Sequence, residues 1–155
     1  MKRAHILLAG VLAAVAGTSA VASAQGHTTD AHAAGATTVK LRSTGVGKIL
    51  VNSSGFTLYE FTKDSRNKNT CVKIKGCAKV WPALTTTGSP KAGPGVKASL
   101  LSSITLSGGV KQVTYAGHAL YTYSESIEAG ETSYVGVKHF GGSWDALSAS
   151  GATIK

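Results

Sequence analysis

Cysteine, proline and acidic side chains are scarce in this chain, and long apolar runs are absent beyond its first 24 residues. No later stretch approaches the roughly 20 apolar residues that a membrane-spanning helix needs, so nothing in the body of the chain predicts a bilayer anchor. The early apolar run, Ile6 to Ala16, follows Lys2 and Arg3 and leads to small residues ending Val21-Ala22-Ser23-Ala24. It is too short to span, and its layout predicts a secretory signal peptide over residues 1–24. Ala22-Ser23-Ala24 favours cleavage before Gln25, while Ala20-Val21-Ala22 offers a second small-x-small site. That segment holds no cysteine, which argues against a lipid-bearing N-terminal cysteine. The expectation is an extracellular or periplasmic protein that is not lipid-anchored.

The two cysteines, Cys71 and Cys77, lie close together. A metal site would need more ligands than this neighbourhood provides, and a redox pair would usually be C-x-x-C. In an oxidising exported setting the pair predicts a structural disulfide, whose small loop adds about 2–3 kcal/mol on the chain-entropy model. Acids are outnumbered, with 7 against 16 lysines and arginines and a formal net charge of +9. With Lys2 and Arg3 set aside, 14 basic side chains remain against the same 7, a charge of +7. Lys63, Arg66, Lys68, Lys73, Lys75 and Lys79 crowd one segment that contains Asp64 alone among acids, while Glu125, Glu128 and Glu131 cluster much later. Solvated loops at the two ends account for this. If the basic segment has a partner, anionic wall polymers or membrane headgroups suit an exported protein better than nucleic acid.

What the chain has in quantity is glycine, 19 residues of it, and short runs of Val, Ile, Leu, Thr and Tyr between Gly, Ser and Asn. After the signal, 131 residues remain, enough for one domain with a core. Residues 25–37 lack an apolar period and predict a flexible arm. Residues 38–155 predict a single all-β domain, with strands near 38–43, 47–52, 56–62, 110–115, 118–124 and 143–148. Single helical turns are expected at Cys77–Val80, stopped where Trp81 precedes Pro82, and at Lys97–Leu101. Residues 88–95, with Pro90 and Pro94, are expected to be a loop. The heptapeptides Gly-Phe-Thr-Leu-Tyr-Glu-Phe at 55–61 and Gly-His-Ala-Leu-Tyr-Thr-Tyr at 117–123 are near copies. Each follows a strand and opens on a glycine, which supplies the positive φ that hairpin loops need. Alternation then puts Tyr59 and Phe61 on one face, and Tyr121 and Tyr123 likewise, with Leu58 and Leu120 opposite. Apolar bulk on both faces predicts central strands in an antiparallel domain built from two pseudo-repeated hairpins, near 47–64 and 110–126. The aromatic pairs are then core, with Trp81 and Trp144, rather than a ligand platform.

These residues also carry a resemblance. Gly55-x-Thr57-Leu58-Tyr59-x-Phe61-x-x-Asp64, then Cys71 and Cys77-Ala78-x-x-Trp81-Pro82, then Tyr115-x-Gly117-x-x-Leu120-Tyr121-x-Tyr123 and the closing Trp144 resemble the bacterial secreted-repeat lipoprotein family of unknown function, with its Tyr-x-aromatic-x-x-Asp motif. The resemblance spans about residues 45–148 and implies export, but no assigned chemistry. The second copy has Ser126 where the first has Asp64, so Asp64 is expected to be a turn or cap residue. The spacing between the cysteines is longer than the family's usual one.

No catalytic motif is present: no G-x-S-x-G elbow, no H-E-x-x-H, no phosphate-cradling glycine loop, no close acid pair flanked by aromatic sugar platforms. Ser143, His139 and Asp145 could be imagined as a triad, but nothing marks Ser143 as activated, and His118 is expected at the surface. The leading expectation is a non-enzymatic exported domain that binds or scaffolds in the cell envelope. Two alternatives remain open: a metal-handling or redox accessory, and a hydrolase with an unrecognised site. The metal alternative has a concrete form, because cleavage after Ala24 would leave Gln25-Gly26-His27. Its amine, two amides and imidazole suit square-planar Cu(II) or Ni(II), unless Gln25 cyclises and removes the amine.

Overall fold

The computed structural model describes residues 35–155. The predicted signal peptide, most of the predicted arm and the Gln25-Gly26-His27 motif lie outside the described residues. Thr37 is already tied to the domain: its amide donates to Thr86 Oγ1 at 3.1 Å and its hydroxyl to the Thr85 carbonyl at 2.6 Å.

Among the described residues eleven strands make three sheets. They are β1 (Thr38–Thr44), β2 (Gly47–Val51), β3 (Tyr59–Phe61), β4 (Thr85–Thr86), β5 (Lys91–Ala92), β6 (Leu101–Thr105), β7 (Lys111–Tyr115), β8 (His118–Ala119), β9 (Val137–His139), β10 (Gly142–Leu147) and β11 (Thr153–Ile154). The first sheet runs β2-β1-β5; the second runs β11-β10-β3 with β9 also on β10; the third runs β4-β7-β6 with β8 on β7. All pairings are antiparallel except β1 with β5. One four-residue helix, α1 (Cys77–Val80), ends at Trp81, as the following Pro82 dictates.

The duplicated heptapeptides are duplicated hairpins. In the first, the Leu58 amide donates to the Leu50 carbonyl; in the second, Leu120 donates to Val113. Gly55 and Gly117 hold φ of 89° and 87° at equivalent places. The turns before them differ. Asn52 Oδ1 accepts the amides of Ser54 and Phe56, both at 3.0 Å, to close a longer loop, whereas Ala116-Gly117 is a two-residue turn with both φ values positive. The two copies join at equivalent residues, because Tyr59 and Tyr121 exchange both backbone hydrogen bonds at 2.9 Å. A local pseudo-two-fold axis therefore passes between these tyrosines.

Alternation sorts the side chains as expected. Leu58 and Leu120 enter an aliphatic cluster with Val39, Leu50, Val113, Tyr115 and Leu147, while Tyr59, Phe61 and Tyr121 enter an aromatic one with Trp81, Trp144 and the cysteines. In the latter, Trp144 is sandwiched between Phe61, 4.2 Å away by ring centroids, and Trp81, at 4.1 Å. Tyr121 meets Trp144 edge-on and Tyr59 meets Trp81 the same way, arrangements that ring quadrupoles favour.

Several expected boundaries shift. The strand expected at 56–62 is regular only over Tyr59–Phe61, since the Asn52 clamp holds Phe56 in the loop. The strand expected at 118–124 has a short ladder at His118–Ala119 and a bridge at Tyr121. Beyond it, Thr122 and Ser124 donate to the carbonyls of Pro82 and Val80, a partner segment that cannot form a regular ladder because Pro82 has no N–H. The loop expected at 88–95 contains β5, and the helical turn near 97–101 covers only Ala98–Leu100 before β6 begins.

Candidate functional site

The basic segment forms one built loop between β3 and α1, docked on the turn of the second hairpin. Its fixing points are numerous. Asp64 Oδ1 accepts the Thr70 amide and Oδ2 accepts the Tyr121 hydroxyl, each at 2.6 Å. Asn67, at φ 55°, donates its amide to the Gly117 carbonyl, and Arg66 donates to the Ala116 carbonyl at 2.9 Å. Asn69 accepts the Val72 amide and donates to Gln112, a fully buried side chain that in turn donates to the Leu120 carbonyl. The Cys71–Cys77 disulfide closes the loop, with both cysteines fully buried.

Asp64 therefore acts as more than a turn residue: it joins the first repeat's loop to a core tyrosine of the second. Burial raises its carboxyl above 3.8, against the lowering effect of the Tyr121 and Thr70 bonds. That carboxylate is committed to Tyr121 and Thr70 and forms no ion pair with the cations around it. Lys63, Arg66, Lys68, Lys73, Lys75 and Lys79 are all exposed, and none forms an ion pair among the described residues.

Two polar recesses flank the strand pair β3–β10. The smaller, about 110 Å³, lies between Glu60, Asp64, Arg66 and His118. His118 is half-exposed, and its Nδ1 contacts Glu60 Oε2, which raises the imidazole above its ordinary value. The larger is an open groove of about 710 Å³ lined by Thr62, Lys138, Phe140, Ser143 and Asp145 among others. Glu60 and Asp145 face each other across the ladder, both buried. Sequence reasoning missed this acid pair, since only the strand register brings the two together.

The imagined triad is not assembled. Ser143 Oγ donates to Asp145 Oδ1 at 2.7 Å, but His139 instead accepts the Trp81 indole N–H at 3.5 Å and stacks on Phe140. Among the described residues no group of three or more His, Cys, Asp or Glu side chains could hold a metal ion. Tyr59, Phe61, Leu58, Leu120, Tyr121, Trp81, Trp144 and Tyr115 are buried, while Tyr123 is partly buried against Trp81 and Tyr134.

The chemistry so defined is that of a small disulfide-bonded all-β domain with a basic docking loop and two polar recesses. Residues 40–85 match a lipoprotein family described as a secreted repeat of unknown function, the same family that the motifs resemble. The match runs from within β1 to the first residue of β4, and includes Gly55, Asp64, both cysteines, Trp81 and Pro82; the second hairpin lies outside it. No curated protein and no solved structure matches the chain. No helix among the described residues is long and apolar enough to cross a membrane.

Proposed function

We propose that this protein is an exported, non-enzymatic domain, extracellular or periplasmic, that binds an anionic polymer of the cell envelope through its basic loop. The observation that carries this is the commitment of Asp64, the one acid within the loop, to Tyr121 and Thr70, while the six exposed cations form no ion pair among the described residues. Exposed cations with no carboxylate partners suit an extended polyanion with repeating charge, and the disulfide and the Asn69–Gln112 contact fix the backbone that carries them.

Inorganic polyphosphate serves as the test polymer. Its affinity for the purified domain should fall steeply as salt is raised, because exposed charges are screened over about 10 Å at 0.1 M. Replacing Lys73, Lys75 and Lys79 together by Gln should weaken binding about tenfold, from a few tenths to 1 kcal/mol for each exposed charge. Binding that is absent, or unaltered in the triple variant, would overturn the reading.

A further inference from the structure

We infer that β6 is a dimerisation edge, at which two copies of this chain pair their β6 strands antiparallel about a two-fold axis at Ser103. This goes beyond the polyanion reading and does not rest on it.

Hydrogen-bond alternation decides which backbone groups β6 turns outward. On β7, the Val113 amide donates to the Leu84 carbonyl and the Val113 carbonyl accepts the Leu120 amide, so both groups point away from β6. Ser103 lies opposite Val113, and in an antiparallel ladder both members of such a pair turn away from each other. Leu101 and Thr105 share the parity of Ser103. The intervening positions bond inward, as Ala116 donating to the Leu100 carbonyl and Leu106 donating to that of Val110 show at the two ends. The Leu101 amide is taken by the Ala98 carbonyl in the turn before the strand. The Leu101 carbonyl, and the amide and carbonyl of both Ser103 and Thr105, therefore have no partner among the described residues.

These groups complement their own copies. With Ser103 set against Ser103 of the second copy, the two residues exchange both bonds, and each Thr105 amide meets the other copy's Leu101 carbonyl. The Leu101 amide is the one donor this register does not need, and it is the one already satisfied. Composition suits such a seam. No Lys, Arg, Asp or Glu lies between Lys97 and Lys111, and β6 has neither the lysine nor the proline that usually guards an exposed edge. The edge strands β5, β9 and β11 are only two or three residues long. Copies of a chain with net charge +9 repel, and an uncharged edge lets them meet at least cost. β6 also packs on both faces, as an inner strand does: Leu101 lies against the aliphatic cluster and Ile104 against the aromatic one, each partly buried. A neighbouring strand would cover what they still expose. Two-fold pairing uses the edge of both copies, so assembly stops at the dimer. So short a seam makes that dimer weak and concentration-dependent.

The test is sedimentation velocity of the mature chain over a concentration series, with no polymer present, together with amide exchange read by NMR. A monomer–dimer equilibrium should appear and should not weaken as salt is raised, unlike polyphosphate binding. The Ser103 and Thr105 amides should gain protection with concentration, whereas those of Ser102 and Ile104, turned toward β7, should be protected throughout. Ser103→Pro removes an outward donor that the β7 ladder does not use, so the fold should survive. Dimerisation should weaken about thirtyfold, the loss of two symmetry-related hydrogen bonds. If that variant does not fold, Ser103→Lys, which sets like charges opposite each other across the axis, should weaken the dimer in its place. A monomer at every concentration, a dimer whose Ser103 and Thr105 amides exchange freely, or unaltered dimerisation in the folded variant would overturn the edge. Since no polyanion enters these measurements, failure of the basic-loop reading shows only in the polyphosphate titration.

Discussion

The Tyr121 hydroxyl has one acceptor, Asp64 Oδ2, and Asp64 is desolvated enough to be raised above 3.8, so this bond joins a buried phenol to a carboxylate that burial disfavours. Tyr121→Phe keeps the ring against Trp144 and removes the hydroxyl, which donates to Asp64 and also accepts from Gln112. It should destabilise the fold by about 1.5–3 kcal/mol, the range for a hydrogen bond to a charged group, as read from urea denaturation midpoints. An unchanged midpoint would mean that the bond does not hold the loop. His118 gives a second prediction. Its hydrogen bond to Glu60 raises its folded value above 6.5, reinforced by the charges of Glu60 and Asp64 and opposed by burial and Arg66. A raised histidine stabilises fully below its unfolded value and loses that contribution as pH rises through the folded one. Unfolding free energy should therefore decline with pH above about 6.5, and His118→Gln should flatten that decline. Asp64, also raised, loses stability with rising pH too, but in a lower window starting from 3.8, so the two slopes are separable.

At the scale of elements, the loop from Lys63 to Val80 shows what the sequence displays and what it withholds. Its charge and its cysteine pair are visible at once, and the disulfide is present. The inward direction of Asp64 is not visible, because it depends on Tyr121 arriving from the other repeat. The hairpins were legible because Leu58 and Tyr59, like Leu120 and Tyr121, alternate cleanly after a glycine. Strand β6 was not, since Ser102 and Ser103 dilute its pattern, and β9 and β11 are too short to show a period. The acid pair Glu60 and Asp145 follows from the register that sets Trp144 against Phe61, which no local signal encodes. The loop's cross-link has a measurable consequence. Cys71→Ala with Cys77→Ala should cost about 2 kcal/mol, from the entropy of closing so short a loop, and should weaken polyphosphate binding as the backbone that carries the lysines loosens. A double variant of wild-type stability would show that the Asp64 and Asn69 contacts suffice to fix the loop.

For the molecule as a whole, the two repeats are interdependent rather than stacked units. The main-chain bonds between Tyr59 and Tyr121 join them at equivalent positions, and the aromatic cluster draws Phe61 and Trp81 from the first part of the chain and Tyr121 and Trp144 from the second. Trp144 is gripped between Phe61 and Trp81, so neither half can complete this core without the other. Folding should accordingly be a single cooperative transition, as is usual for single domains of this size. Both tryptophans sit in this shared core, so their fluorescence should change at the same denaturant concentration as the far-ultraviolet signal of the sheets. Trp144→Ala should lower that common midpoint by the equivalent of about 3–5 kcal/mol, the cost of deleting a large buried ring, and should shift both signals together. Two separated transitions, or a Trp144→Ala variant in which only the fluorescence moves, would mean that the repeats fold as independent units and that the Tyr59–Tyr121 seam carries little of the stability.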